Sequence, residues 1–188
     1  MFKQKIIAAL TVAGLTLSSA ICTAANPFSD MPEGHWAARA VTKLAGENII
    51  NGYGNGLFRG DRNITRYEAV NILAKCLNLE LNVNAPEKMP FSDVPENHWA
   101  FRAVKLTSEK GINKGYDDKT FRGDRYITRY EMAQMIANVL KPGLQLPEKS
   151  FSDIPANHWA VPAVTLLASK GIIEGYNDGL FRLSTLHS

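Results

Sequence analysis

The sequence predicts an all-α fold, made mainly of helical repeats connected by turn-rich loops. Two observations predict it: one pattern occurs three times along the chain, and apolar residues inside each copy recur at helical spacing. The copies begin with F-S-D-M-P-E-G-H-W-A at Phe28, F-S-D-V-P-E-N-H-W-A at Phe91 and F-S-D-I-P-A-N-H-W-A at Phe151. Internal repetition of this kind is typical of proteins built from small supersecondary units.

The first 25 residues predict a cleaved export signal. Lys3 and Lys5 precede an apolar run from Ile6 to Leu17, and small residues follow before Asn26. The apolar run is too short to span a bilayer comfortably, which favours cleavage over anchoring. We therefore expect an exported chain whose mature part begins at Asn26.

Composition excludes several classes of protein. The chain has 188 residues, of which 45% are hydrophobic and 21% charged, which argues against disorder and against a membrane-spanning body. Without the two lysines of the signal, 19 basic and 18 acidic residues remain, and this balance argues against nucleic acid as a partner. Cys76 is then the single cysteine, so packing and not a disulfide must provide the stability.

The first helix of each repeat is predicted from the residues around H-W-A. In the first copy Trp36, Ala40, Val41 and Leu44 recur at helical spacing, and the other copies repeat the pattern. The predicted helices end at three aligned residues of types that tolerate a positive φ, namely Asn48, Gly111 and Gly171. Turn dipeptides, a Gly-Tyr pair and then Phe-Arg follow in the loop.

The second helix opens with Thr-Arg-Tyr-Glu in the first two copies. This is a capping box, in which the Thr hydroxyl accepts from the N3 amide while the Glu side chain reaches back to the Thr amide. The predicted capping residues are Thr65 with Glu68 and Thr128 with Glu131. Cys76 aligns with Val139 on the apolar side of this helix, so we expect a small hydrophobe and not a reactive thiol.

The combination of F-S-D-x-P-x-x-H-W-A, G-Y-x-x-x-x-F-R and I-T-R-Y-E resembles the S-layer homology (SLH) domain and covers nearly the whole mature chain. The resemblance implies a pseudo-threefold helical bundle that binds cell-wall glycan in grooves between repeats. The third copy is incomplete, since L-S-T-L-H-S follows Arg182 in place of the second helix. The expected organisation is a signal peptide (1–25), repeat 1 (26–81), a linker (82–90), repeat 2 (91–141), a linker (142–150) and a partial repeat 3 (151–188).

The resemblance also implies a ligand and a location. The typical ligand of the family is a secondary cell-wall polymer with pyruvylated sugars. The variant G-D-R-x-I-T-R-Y-E is similar to repeats in outer-membrane proteins of diderm relatives of Gram-positive bacteria, which implies polyamine-modified peptidoglycan and the periplasmic side of an outer membrane. We expect non-covalent attachment to the cell wall. The alternatives are a self-assembling structural protein of the envelope, or the truncated anchor of a lost C-terminal porin or wall enzyme.

Arg66 and Arg129 match the arginine of the family's Thr-Arg motif, and the resemblance implies a role in glycan binding. Each is predicted in the first turn of a helix, where free backbone amides and the helix dipole favour an anion. A guanidinium there is suited to grip the carboxylate of a pyruvylated sugar. The alternative is a solvated arginine at a helix end.

Two further sets of residues are candidates for glycan binding, and each has a structural alternative. The tryptophans either stack on a sugar ring or anchor the core; they are Trp36, Trp99 and Trp159. The aspartates accept sugar hydroxyls or an ammonium group, or else cap a short helical turn, which we favour; they are Asp30, Asp93 and Asp153.

Other functions are disfavoured. The histidines occur once per repeat without a second ligand at metal spacing, so we expect a structural role, no metal site and no cofactor; they are His35, His98 and His158. We find no catalytic arrangement and expect no enzyme. An incomplete third repeat should leave apolar surface uncovered, with a tendency to oligomerise or unfold; the residues are Val164, Leu167 and Ile172.

Overall fold

The computed structural model describes residues 26–81, 88–140 and 151–182, and this part of the chain is mainly helical. The expected fold class is therefore confirmed. The helices are α1 (Ala38–Gly46), α2 (Arg66–Cys76), α3 (Phe101–Glu109), α4 (Arg129–Leu140) and α5 (Val161–Ser169). No helix in these ranges is long and apolar enough to span a membrane. The predicted signal peptide lies outside the described residues, as do most of both linkers.

The chain divides into two compact units whose boundary differs from the boundary of the sequence repeats. One unit runs to Asn63 and includes Lys75–Leu77, so it holds α1 and its loop. The other comprises Ile64–Ala74 and the chain from Asn78 onward. Most of α2 thus packs with the repeat that follows it in sequence. A pseudo-threefold arrangement of the repeats stays a prediction.

The first helices end as the sequence predicts. The three aligned residues have positive φ, 56° at Asn48, 67° at Gly111 and 64° at Gly171. The N–H of Asn48 donates to the Ala45 carbonyl and that of Ile49 to the Leu44 carbonyl, each at 2.9 Å. This is the Schellman pattern, which satisfies the last carbonyls of the helix.

Each loop is built on a pair of phenylalanines and a glycine. The Phe of F-S-D packs against the Phe of Phe-Arg in every repeat, with ring centroids 5.3 Å apart for Phe28 and Phe58, for example. The glycine of Gly-Tyr lies on the first ring: a Cβ added at Gly52 or Gly115 would lie within 3.0 Å of Phe28 or Phe91. A side chain at the glycine position would therefore push the loop off the ring.

The third repeat does not leave the expected apolar surface open. Val164, Leu167 and Ile172 are all buried. The prediction that their surface is uncovered is wrong, because α5 packs against α4, the second helix of the preceding repeat.

Candidate glycan-binding site

The three aspartates of F-S-D hold the distant loop of their own repeat. The two carboxylate oxygens of Asp30 accept from the backbone N–H groups of Phe58 and Arg59, at 2.7 and 2.6 Å. The carboxylate of Asp93 does the same with Phe121 and Arg122, at 2.7 Å each. The equivalent bonds of Asp153 are 2.9 Å long to Phe181 and 2.6 Å to Arg182.

These hydrogen bonds stabilise a left-handed backbone conformation in the loop. They also show that the aspartates have a different role from the expected one. The arginine after each Phe has a left-handed φ, 55° at Arg59, 54° at Arg122 and 61° at Arg182, which is unfavourable for a residue with a Cβ. Hydrogen bonds from Phe58 and Arg59 lower the pKa of Asp30, so the ionised form is the one that holds the loop. The expectation that the aspartates cap the next turn is wrong, because their oxygens accept from amides 28 and 29 residues away.

The N-terminal turn of each second helix lies on the loop of the next repeat. At α2, the N–H of Arg66 donates to the Arg125 carbonyl and that of Tyr67 to the Gly123 carbonyl, both at 2.9 Å. The N–H of Glu68 donates to the Thr65 hydroxyl at 3.2 Å, and the N–H of Thr65 to the Glu68 carboxylate at 2.7 Å. The expectation of free amides at this end of α2 is wrong, because neighbouring oxygens bond to them.

The capping box of α4 contains the corresponding reciprocal pair. The N–H of Glu131 donates to the Thr128 hydroxyl at 3.2 Å, and the N–H of Thr128 donates to the Glu131 carboxylate at 2.9 Å. One carboxylate oxygen of Glu131 remains for other partners, and Arg66 and Tyr116 both bond to it.

Each Thr-Arg-Tyr-Glu tyrosine is inserted among the aromatic side chains of the next repeat. The ring centroid of Tyr67 is 4.1 Å from that of His98, 5.5 Å from Phe121 and 6.1 Å from Trp99. Tyr130 makes the same contacts with His158, Phe181 and Trp159, at 4.7, 5.4 and 6.3 Å. Sequence reasoning assigned these tyrosines no role, although their place beside the arginine in a repeated motif was a signal.

Arg66 is a buried structural residue. Its side chain is 4% exposed, its Nε donates to the Phe121 carbonyl at 3.0 Å, and its Nη1 pairs with Glu131 at 3.2 Å. The guanidinium also lies 4.9 Å from the ring centroid of Tyr116 and 4.8 Å from that of Phe121. The alternative that Arg66 is a solvated arginine is wrong, because protein groups surround its guanidinium. Its role in glycan binding stays a prediction.

Arg129 occupies the equivalent place at α4 but has a different set of partners. Its guanidinium lies 5.2 Å from the ring of Tyr176 and 4.5 Å from that of Phe181, and it donates to the Glu174 carbonyl at 3.2 Å. It is only half-buried, and within the described ranges no carboxylate pairs with it. Its buried Nε finds no acceptor among these residues. Arg129 therefore has more capacity for an anionic ligand than Arg66.

The tryptophans are surface residues. Trp36 is 90% exposed, Trp99 60% and Trp159 54%, so the alternative that they anchor the core is wrong. The helices begin two residues after each tryptophan, which places the indole outside their buried face. The histidine before each tryptophan stabilises the turn that leads into the helix. Its Nδ1 accepts from the backbone N–H two residues later, at 3.2 Å in every repeat.

The third repeat and the start of α4 present an exposed indole and a half-buried guanidinium. Trp159 and Tyr130 form an edge-on pair, and Arg129 lies beside Tyr176. An indole face suits the C–H groups of a sugar ring, and a guanidinium suits a carboxylate. Within the described part of the chain, no group of three or more His, Cys, Asp or Glu side chains is arranged to hold a metal ion.

Known proteins with similar sequences are surface and wall proteins of bacteria. Cell surface glycoprotein 1 of Acetivibrio thermocellus is 38% identical to this chain, over 74% of this chain and 6% of that protein. The cellulosome-anchoring protein of the same organism is 35% identical, over 71% of this chain and 30% of that protein. A protein of Bacillus anthracis named as an uncharacterized cell wall amidase is 29% identical, over 95% of this chain and 34% of that protein. The chain thus spans about a third or less of these relatives.

The family match follows the repeats of the structure. Residues 27–70, 90–133 and 150–182 match the S-layer homology domain. Each range contains the aspartate that holds the loop, the exposed tryptophan and the Phe-Arg pair. On this match the chain belongs to the S-layer homology domain family.

Proposed function

We propose that this chain attaches non-covalently to cell-wall glycan in the bacterial envelope. The observation that carries the proposal is an exposed tryptophan at the same place in all three repeats, which in the third contacts Tyr130, the residue after Arg129. An indole offers a large, rigid apolar face to a ligand, and three of them are exposed here. The names of the relatives, among them a cellulosome-anchoring protein, support attachment as the function.

The geometry supports an acidic glycan as the ligand. Arg129 offers a half-buried cation without a carboxylate partner in the described residues, and the next residue, Tyr130, contacts the exposed ring of Trp159. The aspartates, which would have to bind a polyamine, instead hold backbone amides with both oxygens. A pyruvylated secondary polymer therefore fits better than polyamine-modified peptidoglycan, and we place its best site at Trp159 and Arg129.

The test is sedimentation of the chain with purified sacculi, before and after hydrofluoric acid strips the phosphodiester-linked polymers. We expect binding to unstripped sacculi only. Arg129→Gln and Trp159→Ala should each weaken binding about tenfold, because a charge-assisted hydrogen bond or a stacked ring contributes on the order of 1–2 kcal/mol. Lys170→Gln, which removes an exposed cation next to α5, is the matched control.

Two outcomes would contradict parts of this proposal. Undiminished binding to stripped sacculi would move the ligand to peptidoglycan itself. Equal loss of binding in Arg129→Gln and Lys170→Gln would show general charge attraction and no specific site.

We also propose that the chain itself is not an enzyme. Every notable polar side chain recurs in at least two of the repeats, whereas catalytic groups are usually singular in a chain. The similarity to a protein named as a wall amidase covers 34% of that protein. Release of soluble fragments from sacculi by the pure chain would contradict this proposal.

A further inference from the structure

The loop of repeat 1 carries an Asn-Gly pair at its tip, where the loops of the other two repeats carry an aspartate. Counted from the Gly-Tyr pair, Asn55 of repeat 1 aligns with Asp118 of repeat 2 and Asp178 of repeat 3. These two carboxylates pair with the arginine four residues later, which is Arg122, at 2.8 Å, and Arg182. At Asn55 the corresponding group is a neutral amide, so repeat 1 lacks this ion pair.

The arginines of the three loops differ accordingly in their position on the tyrosine of the Gly-Tyr pair. The guanidinium lies 4.2 Å from the centroid of that ring for Arg122 and 4.4 Å for Arg182. For Arg59 of repeat 1, which forms no ion pair with a carboxylate in the described part of the chain, the distance is 5.7 Å. Repeat 1 thus has the arginine and the tyrosine of this arrangement without its carboxylate.

The backbone hydrogen bonds of the turn also differ between the loops. In repeats 2 and 3 the residue after the aspartate donates its N–H to the carbonyl of the Gly-Tyr tyrosine, from Lys119 at 3.0 Å and from Gly179 at 2.9 Å. In repeat 1 the turn is shifted by one residue, and the N–H of Leu57 donates to the Gly54 carbonyl at 3.1 Å. The N–H of Gly56 therefore has no acceptor among the residues that the structure describes.

This N–H lies next to an exposed side-chain amide. Asn55 and Gly56 are both exposed, and the nearest atom to a Cβ built at Gly56 is the Pro27 carbonyl oxygen, at 3.8 Å. The peptide between them has room to rotate until the Gly56 nitrogen reaches Cγ of Asn55, and glycine has no side chain to obstruct the approach. The exposure does not depend on what covers the loop, since the side chains of Asp118 and Asp178 are 50% and 42% exposed in loops that receive a second helix.

We propose that Asn55 is a site of spontaneous modification, at which loss of the side-chain amide gives repeat 1 the carboxylate that repeats 2 and 3 encode. The backbone nitrogen of Gly56 gives up its proton and bonds to Cγ of Asn55, the Cγ–Nδ2 bond breaks, and ammonia leaves with a proton from solvent. Water then opens the succinimide ring. Breaking its nitrogen–Cγ bond gives aspartate, and breaking its bond to the main-chain carbonyl carbon gives isoaspartate. The overall change consumes water and releases ammonia, without an oxidant or a reductant.

The aspartate product completes in repeat 1 the contacts that the other loops already have. The new carboxylate at position 55 pairs with Arg59 and accepts from the N–H of Leu57, as Asp178 accepts from the equivalent N–H of repeat 3 at 3.1 Å. The N–H of Gly56 then donates to the Tyr53 carbonyl. Because this hydrogen bond engages the nitrogen that closes the ring, the aspartate is protected from forming the succinimide again.

The experiment is incubation of the full chain in mildly alkaline buffer, with peptide mapping by mass spectrometry at successive times. The same dipeptide at Asn51-Gly52 is the internal control. A Cβ at Gly52 would lie 2.5 Å from the Leu57 carbonyl oxygen and 2.6 Å from the Phe28 ring, so the backbone there has no room to rotate. We expect Asn55 to convert about tenfold faster than Asn51, because its barrier is lower. Asn55→Gln, which requires a larger ring, should keep its amide over the same time.

Two results would overturn the modification site. One is an Asn55 amide that stays intact in the folded chain while the same residue converts in a free peptide with the sequence of residues 51–60. The other is conversion of Asn55 no faster than that of Asn51, which would show that the dipeptide sequence and not the structure of the loop sets the rate.

Asn55→Asp, made directly, tests the contacts of the product. We expect amide exchange at Gly56 to slow about tenfold relative to the unchanged chain, since its N–H gains an acceptor. The accompanying rise in urea midpoint should disappear in an Arg59→Gln background, where the carboxylate has no guanidinium to pair with. Unchanged exchange at Gly56, or isoaspartate as the sole product of the incubation, would overturn the pairing, because the carboxylate would then not be placed as in repeats 2 and 3.

Discussion

At the scale of single residues, identical residues at equivalent positions of the repeats have different surroundings. Arg66 is enclosed and paired with Glu131, whereas Arg129 is half-buried with only neutral partners among the described residues. Gly123 lies against a tyrosine ring and Gly60 does not. The difference arises from the side chains that the neighbouring repeat places against these residues. The sequence of a single repeat therefore cannot predict it.

Gly123→Ala tests the close approach of Tyr67. We expect it to lower the free energy of unfolding by about 1–3 kcal/mol, because the new Cβ forces the buried ring aside. Gly60→Ala is the matched control and should change it by less than about 0.5 kcal/mol. Urea denaturation measures both, and equal effects would show that Tyr67 is not seated as described.

The low pKa of Asp118 predicts how the stability of the fold depends on pH. Hydrogen bonds from the side chain of Thr120 and then from Arg122 lower its pKa from 3.8 to about 2. Because the folded pKa is depressed, its contribution is fully present above pH 3.8 and disappears as the pH falls through 2. Asp118→Asn should therefore flatten the fall in urea midpoint over this window. Asp117→Asn, which removes a charge one residue earlier, is the matched control.

At the scale of elements, the features that depend on local sequence could be predicted and those that depend on distant partners could not. The ends of α1, α3 and α5 followed from the residue types that tolerate a positive φ. The exposure of Trp36 did not follow, because helical spacing alone cannot show that the helix begins two residues later. The sequence analysis favoured Asp30 as the cap of the turn that follows it. Its hydrogen-bond donors lie 28 and 29 residues further on, where local sequence gives no indication of them.

Gly111→Ala tests the end of α3. Gly111 has φ of 67° and open space around its Cβ position, so the substitution adds backbone strain alone, about 1–2 kcal/mol. Gly111→Asn should recover much of this loss, because Asn48 occupies the equivalent position in repeat 1. Thermal unfolding of the two variants measures which of them is more stable. An alanine variant as stable as the asparagine variant would contradict the left-handed conformation.

At the scale of the whole molecule, the units that pack together differ from the units that repeat in sequence. The sequence predicted that repeat 1 (26–81) ends with its own second helix, but most of α2 lies in the unit that contains repeats 2 and 3. The reason is physical: the Arg66-Tyr67 turn finds its partners in the loop around Phe121. Repetition shows where a pattern restarts, and gives no information about which neighbour covers it.

Hydrogen exchange can test this division. Phe121→Leu, which loosens the loop of repeat 2 by about 1 kcal/mol, should raise amide exchange in α2 more than in α1. Phe58→Leu, the equivalent change in repeat 1, should raise exchange chiefly in α1. If α2 followed α1 in both variants, the second helix would belong with its own sequence repeat.

The offset between repeats has a consequence for how such proteins can be recombined. A crossover within the linker after α2 would separate the Arg66-Tyr67 turn from the loop that completes its hydrogen bonds. A crossover between Asn63 and Ile64 would keep that turn and its loop on the same fragment. Chimeras of SLH proteins spliced at this second point should therefore be expressed and folded more often than those spliced in the linker, and natural exchange of repeats should favour the same junction.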